Sequence, residues 1–227
     1  MIRPRRWLPV IAATVLLAGG SAVLTAGPAS AAPNIQICNT LNNLCANAQG
    51  GYHTPGDGVI LWHNGDSNNT FSIVLLTRIC NAGGGVGAGY VHNGEGGEIC
   101  PFPNGSGLNN RYNGDAIVEF QDYTSALVYD PPLCIADDGS GSGAAALLGC
   151  SWIQNNFGFG GARGSVFILS HITDVNNMGT TPFFAVNYYY TVRGGCGLNQ
   201  PAWMVGGSLG VKIYLNICKA NMEWFQT

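Results

Sequence analysis

Residues 44–71, LCANAQGGYHTPGDGVILWHNGDSNNTF, contain two features that recur along this chain. The first is a cysteine that opens a Gly-rich turn. The second is a short apolar strand followed by an Asn-x-aromatic triplet, Asn69-Thr70-Phe71. Related triplets occur as Asn110-Arg111-Tyr112, as Asn155-Asn156-Phe157 and, in degraded form, as Met222-Glu223-Trp224. A unit that returns in this way indicates an internal repeat.

Strand signals dominate the rest of the chain. The segments at 71–76, 116–120, 166–169, 183–190 and 211–215 are short, rich in β-branched or aromatic residues, and bounded by Gly, Asn, Asp or Pro. No segment after residue 31 combines helical periodicity with caps over three turns. The pattern predicts an all-β protein whose chain turns about every ten residues.

The first 31 residues are typical of a secretory signal peptide. Three arginines precede an apolar run at 7–24, and the small residues of ASA at 29–31 follow it. A membrane anchor is the alternative, since about 18 apolar residues can just span a bilayer, but Gly19-Gly20 and the cleavage-type ending favour export. The Arg5-Arg6 pair leaves both general and twin-arginine export open. We expect a secreted, extracellular protein with one domain at 32–227.

The charge balance narrows the range of partners. The chain carries nine basic and twelve acidic side chains, a formal net charge of −3 at pH 7. Three of the arginines belong to the predicted signal peptide, so the remainder is more acidic still. Nucleic acid and anionic membrane surfaces are poor partners for such a chain. We therefore expect no nucleic-acid partner and no membrane association after signal cleavage.

The cysteines predict four disulfide bonds. All eight follow the predicted signal peptide, and an even count in an exported chain is typical of a disulfide framework. They are Cys38, Cys45, Cys80, Cys100, Cys134, Cys150, Cys196 and Cys218. Eight cysteines allow 105 pairings, and the repeat favours the sequential set 38–45, 80–100, 134–150 and 196–218.

The repeated unit resembles the ricin-type β-trefoil lectins. In that family three lobes surround a pseudo-threefold axis, and the aromatic residue of each triplet fills the shared core. The best match is residues 44–71; looser matches are 133–157, LCIADDGSGSGAAALLGCSWIQNNF, and 195–224, which ends in NMEW. The resemblance implies a β-trefoil-like, disulfide-crosslinked fold. A β-sandwich is the alternative, because many short strands with Gly-rich turns suit either architecture.

Four triplets are one more than a single trefoil needs, and two interpretations stay open. In the first, residues 35–172 form the three lobes, and the part near 173–227 is a C-terminal extension. In the second, the last triplet closes the trefoil, and one earlier segment is an insertion.

The resemblance also implies a sugar site in the first lobe. In the lectins, an aromatic residue at the end of a strand stacks on the sugar ring, and polar side chains take its hydroxyl groups. Carried onto this chain, Trp62 is the platform, Asn47 stands where the family has an aspartate, and Asn68 and Asn69 stand at the amide positions. The alternative is that Trp62 is a half-buried packing residue and the asparagines only form turns.

The other two lobes differ at the platform position. The second lobe has Leu148 there, so stacking is lost. The third has Tyr214 with Asn199 upstream, which makes a possible second ligand-binding site.

Catalytic and metal-binding patterns are weak. Gly206-Gly207-Ser208-Leu209-Gly210 fits G-x-S-x-G, but no histidine or aspartate follows Ser208. A glycoside hydrolase would need two carboxylates flanking a cleft, and no pattern selects a pair. The histidines show no zinc spacing. We therefore predict a noncatalytic glycan-binding protein with no cofactor and no metal. The alternative is a secreted structural or inhibitory protein with a degenerate trefoil that binds no sugar.

Overall fold

The computed structural model describes residues 32–80, 91–92, 98–100, 102, 107–153, 159–197, 200–219 and 223–227. The predicted signal peptide and the triplet at 155–157 lie outside them. The strands are β1 (Ala32–Asn39), β2 (Leu44–Ala48), β3 (Val59–His63), β4 (Thr70–Ile79), β5 (Val91–His92), β6 (Glu98–Ile99), β7 (Ala116–Asp122), β8 (Leu133–Asp137), β9 (Ala145–Gly149), β10 (Trp152–Ile153), β11 (Phe159–Gly160), β12 (Phe167–Leu169), β13 (Ala185–Asn187), β14 (Ala202–Val205), β15 (Tyr214–Ile217) and β16 (Trp224–Gln226). Two short helices, α1 (Leu108–Arg111) and α2 (Tyr188–Val192), precede β7 and β14.

Most strands belong to one sheet that curls into an antiparallel half-barrel. β4 pairs with β1 on one side and β7 on the other, and the sheet continues through β12 to β13. The last strand, β16, pairs with β1, so the two ends of the described chain meet in the sheet. A β-bridge between Phe183 and Trp224 joins β16 to the residues just before β13. The predicted all-β class is confirmed.

Three large aromatic side chains occupy equivalent positions in this half-barrel. Each is fully buried. Each pairs with one residue that precedes it in the same segment of the chain and with one residue of another segment. The sets are Phe71 with Ile35 and Asp122, Phe167 with Val118 and Asn187, and Trp224 with Phe183 and Asn39. Because the register is the same in each set, we name the three segments lobe 1 (residues 32–79), lobe 2 (116–169) and lobe 3 (183–227).

The polar partners of these rings cap the turn that leaves the first strand of each lobe. All three are fully buried, and each side-chain oxygen accepts a bond from the backbone N–H three residues further on. The bonds are Asn42 N–H to Asn39 Oδ1 at 3.0 Å, Ser125 N–H to Asp122 Oδ2 at 2.6 Å, and Tyr190 N–H to Asn187 Oδ1 at 3.3 Å. Asn and Asp favour such turns because their short side chains satisfy nearby backbone donors.

The second and third strands of each lobe form a hairpin, and the three hairpins bond to one another. One backbone hydrogen bond recurs in the same register between each pair of lobes. The bonds run from Leu61 N–H to Val211 O at 3.0 Å, from Leu147 N–H to Asp57 O at 2.8 Å, and from Leu215 N–H to Gly143 O at 2.8 Å. The three donor leucines are fully buried and belong to one hydrophobic core.

The structure corrects the membership of the repeat. Phe71 and Trp224 are members, but the third member is Phe167. Tyr112 is also buried, yet it follows α1, in the segment between lobes 1 and 2. A three-residue pattern is short enough to arise by chance among the many Asn-containing turns of this chain.

The contacts of residues 183–227 bear on the two interpretations of the fourth triplet. β16 pairs with β1, and Trp224 occupies the position equivalent to Phe71. Of the two interpretations of the fourth triplet, the second fits these contacts. The segment between β4 and β7 then becomes the insertion.

Most predicted strands are observed. Segments 71–76, 116–120 and 166–169 correspond to β4, β7 and β12, whereas the segment at 211–215 becomes a strand only from Tyr214. The segment at 183–190 is half right, because β13 ends at Asn187 and its tyrosines begin α2. The Asn187 side chain caps that helix at the Tyr190 N–H, a local bond that outweighs the strand preference of the tyrosines.

The four disulfides follow the sequential pairing that the repeat favoured. The bonds are Cys38–Cys45, Cys80–Cys100, Cys134–Cys150 and Cys196–Cys218, and no cysteine is free. A framework of this kind is typical of an oxidising, extracellular environment. None of the helices in the described ranges has the length and apolar character that a membrane span requires.

One carboxyl group lies inside the core of lobe 2. Glu119 is 2% exposed on β7, and its Oε1 accepts hydrogen bonds from the Ser151 backbone N–H and the Ser165 hydroxyl. Burial raises the pKa of Glu119 from 4.5 to about 7, and the two hydrogen bonds offset part of that rise. Between these two pKa values, the folded protein retains a proton that the unfolded chain has lost. Stability therefore falls as pH rises through this window.

We expect Glu119→Gln to remove most of this pH dependence. The amide keeps an oxygen acceptor for Ser151 and Ser165 but carries no charge. At about pH 8 the variant should exceed the wild type in free energy of unfolding by about 2–4 kcal/mol, from about 1.4 kcal/mol per pKa unit. Urea denaturation at about pH 4.5 and about pH 8 measures the difference. Glu223→Gln is the control; equal pH slopes for wild type and Glu119→Gln would contradict the assignment.

Candidate functional site

Trp62 lies on the outer face of the β2–β3 hairpin. It pairs with Cys45, and it is 36% exposed, while its neighbour Leu61 points to the opposite face and is fully buried. Strand alternation produces this division, because successive side chains point to opposite faces. The His63 ring lies edge-on to the indole at 5.7 Å between centroids.

A loop of lobe 3 borders the indole. Leu61 exchanges backbone bonds with this loop, accepting from Gly210 N–H at 2.8 Å and donating to Val211 O at 3.0 Å. A Cβ at Gly210 would lie 3.7 Å from the Trp62 ring, and Leu209 and Val211 are 42% and 40% exposed. We call Trp62, Leu209 and Val211 the Trp62 surface.

Asn47 shares a face with Trp62 but is closed off from solvent. On β2 it stands two residues beyond Cys45, the partner of Trp62, so the two side chains are diagonal neighbours, a relation that spans about 7–8 Å between strands. Asn47 is only 4% exposed, and its Nδ2 has no hydrogen-bond partner among the described residues. An unpaired buried amide donor costs about 1–3 kcal/mol.

Asn68 flanks the turn that follows Asn47. Its backbone N–H donates to Asp66 Oδ1 at 2.9 Å, and its side chain covers Gly51 so closely that a Cβ there would lie 2.7 Å from Nδ2. Asn68 and Asn47 therefore border the same turn, residues 49–51, from two sides. The Asn69 side chain lies outside the described residues.

The hairpin register identifies the equivalents of Trp62 in the other lobes. The inter-hairpin bridges are Gly58 with Ala146, Ala144 with Tyr214, and Lys212 with Ile60. They make Ile60, Ala146 and Tyr214 equivalent. Trp62 therefore corresponds to Leu148 in lobe 2, as the sequence predicted, and to Asn216 in lobe 3.

The predicted second site includes Tyr214, which this register does not make equivalent to Trp62. Tyr214 is half-buried and lies two residues before Asn216, the residue of lobe 3 that is equivalent to Trp62. The second site itself stays a prediction. Asn199 lies outside the described residues.

A cavity of about 250 Å³ lies between lobes 2 and 3, and it was not predicted from the sequence. Its lining residues are Ser151, Phe159, Gly161, Ala162, Arg163, Gly164, Val166, Tyr188, Tyr189 and Arg193. They come from Ser151, from residues 159–166 and from residues 188–193, and they match no motif. Of the patterns in the sequence, the aromatic run at 183–190 contributes Tyr188 and Tyr189 to the lining, and that run predicts a strand.

Three groups of the described residues could suggest catalysis or metal binding, and the structure shows what surrounds each of them. Glu119 lies close to the sulfurs of Cys134 and Cys150, but those two form a disulfide and offer no thiolate. His53 Nδ1 lies 2.7 Å from Asp122 Oδ1, inside the core, where the pair ties the turn after β2 to β7. Ser208 lies on the loop between β14 and β15 and lacks the strand-turn-helix setting of a nucleophile elbow.

No family model, curated protein or solved structure matches this chain.

Two alanine variants separate the platform from the core. We expect Phe71→Ala to lower the free energy of unfolding by about 3–5 kcal/mol, since its ring is fully buried. Trp62→Ala should cost less than Phe71→Ala, because Trp62 keeps 36% of its surface in water and Phe71 keeps none. Urea denaturation of both variants measures the difference. Equal losses would show that Trp62 is a packing residue.

Proposed function

We propose that this protein is a secreted, noncatalytic carbohydrate-binding protein of the ricin-type β-trefoil kind. The protein would bind a glycan at the Trp62 surface, with the indole as the platform for a sugar ring. No cofactor, metal or nucleic acid takes part. The observation that carries the proposal is the exposed tryptophan at one of three equivalent hairpin positions.

The trefoil inference rests on the agreement of two sets of contacts. The buried aromatic trio with its capping partners Asn39, Asp122 and Asn187, and the inter-hairpin bonds, each recur in the same register in all three lobes. Six strands, two from each lobe, would then form a barrel, and the three hairpins would cover one end. A two-sheet sandwich has no reason to repeat these contacts three times.

The site inference rests on the contrast between the lobes. A tryptophan with 36% exposure on a hairpin face is expensive to leave in water, and the equivalent positions hold Leu148 and Asn216. An indole face can cover the C–H side of a sugar ring, as aromatic residues do at many interfaces. Asn68 lies beside the same hairpin and offers both a donor and an acceptor.

Asn47 would contribute only after a small rearrangement. Its Nδ2 is buried and unpaired, so a sugar hydroxyl could satisfy it once a neighbouring side chain moves aside. Asparagine in place of the lectin aspartate also gives a neutral hydrogen bond of about 1 kcal/mol where a charged one reaches about 1.5–3 kcal/mol. We therefore expect weak single-site affinity, roughly millimolar to high micromolar. A multivalent ligand would raise the apparent affinity.

The second candidate is a secreted structural or inhibitory protein. Leu209 and Val211 are exposed beside Trp62, and such an apolar surface suits contact with another protein as well as with a sugar. Binding of a partner protein without any response to glycans would favour this candidate.

Glycan binding and its dependence on Trp62 can be measured together. A glycan array probed with residues 32–227 identifies the ligand, and affinity electrophoresis with the corresponding polysaccharide then compares variants. We expect Trp62→Ala to abolish measurable retardation. Leu148→Ala, which changes the equivalent position in lobe 2, is the matched control and should bind like the wild type.

Asn47→Leu should separate function from stability. The leucine fills a similar volume and removes the unpaired donor, so the free energy of unfolding should stay unchanged or rise. Glycan affinity should fall several-fold, because the hydroxyl partner is lost. If Asn47→Leu is destabilised by more than about 1 kcal/mol while its affinity is unchanged, Asn47 has only a structural role.

A further inference from the structure

The cavity between lobes 2 and 3 is built from additions to the repeating unit. One wall is formed by Ser151 and by residues 159–166, which lie between β9 and β12, and the other by α2 and Arg193, which lie between β13 and β14. In lobe 1 the corresponding connections are only residues 64–69 and 40–43. The cavity shares no residue with the Trp62 surface. The repeat therefore does not require it, and its lining has to be explained separately.

Aromatic rings and arginines dominate the lining. Phe159 and Tyr188 meet edge to face at 5.2 Å between ring centroids. Two guanidinium groups lie over the Tyr189 ring. Arg163 Cζ is 5.3 Å and Arg193 Cζ is 4.6 Å from the ring centroid. Both distances are within the range of a cation–π contact. A single aromatic ring thus gathers two positive charges at this site.

The two charges are not compensated equally. Asp137 is fully buried and takes Arg163 Nε in an ion pair, and it also accepts a 2.8 Å hydrogen bond from the Tyr190 hydroxyl. Arg193, by contrast, forms none of the ion pairs found among the described residues. Among the described residues, the cavity therefore keeps one cation without an ion-pair partner, in a protein that is acidic overall.

We propose that this cavity binds a single sugar residue that carries an anionic group, either a carboxylate or a sulfate. Arg193 takes the anion through its planar guanidinium, which suits the two oxygens of such a group. The ring packs on Phe159 and Tyr188. The choice of a sugar rests on the glycan-binding function proposed above, whereas the anionic group follows from the arginines alone.

The size of the cavity fits one ring. A volume of about 250 Å³ is just below the range of roughly 300–1,000 Å³ that holds drug-sized ligands. A chain of sugars would have only one residue inside, with its neighbours in solvent.

Besides Asp137, which pairs with Arg163, a second carboxyl group lies behind the wall and opposes an anion when it is ionised. Glu119 accepts the backbone N–H of Ser151, a lining residue. Because burial raises the pKa of Glu119 to about 7, this carboxyl is mostly neutral in mildly acidic solution. Binding is therefore best measured at about pH 6.

Isothermal titration of residues 32–227 with D-glucuronate, D-glucose 6-sulfate and D-glucose tests the proposal. We expect both acidic sugars to bind at least about tenfold more tightly than glucose, and added salt to weaken them. Arg193→Gln should lose about tenfold or more in affinity for the acidic sugars, with Arg193→Lys between it and the wild type. Arg111→Gln is the control, because Arg111 is also exposed but does not line the cavity. Melting temperatures confirm that each variant is folded.

Several results would overturn the proposal. Equal affinity for glucose and glucuronate, or unchanged affinity in Arg193→Gln, would remove the anion site. If sodium sulfate binds as tightly as glucose 6-sulfate, the sugar ring contributes nothing to binding and the cavity is not a sugar site. Tighter binding of a phosphoserine peptide than of the acidic sugars would lead to the same conclusion. Loss of acidic-sugar binding in Trp62→Ala but not in Arg193→Gln would show that the ligand binds at the Trp62 surface.

If acidic sugars bind as expected while no neutral glycan depends on Trp62, the cavity proposal stands and the proposed function of the Trp62 surface fails.

Discussion

The structure depends on burying one aromatic ring from each lobe against the first strand of the next. Phe71, Phe167 and Trp224 each contact two strands, and the Trp224 indole also donates from Nε1 to Met204 O at 3.0 Å. Because β16 pairs with β1, the third ring links the end of the described chain to its beginning. The capping residues at the ends of these strands turn the chain outward into the hairpins. A glycine-rich chain with few charges gains from this arrangement, since its loops need only cross the surface between fixed points, and disulfides restrain several of them.

Local patterns predicted the fold class well. Strands with β-branched and aromatic residues, the bounding turns and the sequential disulfides all depend on short-range chemistry that a sequence displays. The members of the repeat were harder to identify, because Phe167 is not preceded by an Asn-x pair while Tyr112 is. What makes Phe167 equivalent to Phe71 is its strand pairing with Val118 and Asn187, and such long-range pairing leaves no short motif. The tyrosines after Asn187 show a similar limit, since one capping bond converts a predicted strand into a helix.

The distinction between short-range patterns and long-range contacts also applies to the candidate sites. The platform position could be predicted from sequence spacing in lobes 1 and 2, where it holds Trp62 and Leu148, because the strands of these two hairpins have matching lengths. The burial of Asn47 could not be found in this way, because burial depends on long-range packing that leaves no short motif. The sequence patterns did not predict the arginine-lined cavity. It forms where two insertions from different lobes meet, and neither insertion indicates the other. The repeat thus supplies the framework, and the departures from the repeat supply the places where a ligand would be recognised.

The claim that Trp62 is the sugar platform can be tested most directly by observing its indole during a titration. In a ¹⁵N–¹H spectrum of residues 32–227, the Nε1–H signals of the tryptophans can be assigned by single substitutions. The best ligand from a glycan array is then added stepwise. The account predicts that the Trp62 signal shifts with saturation while that of Trp224, buried in the core, does not move. Saturable binding that leaves the Trp62 signal unchanged would contradict it.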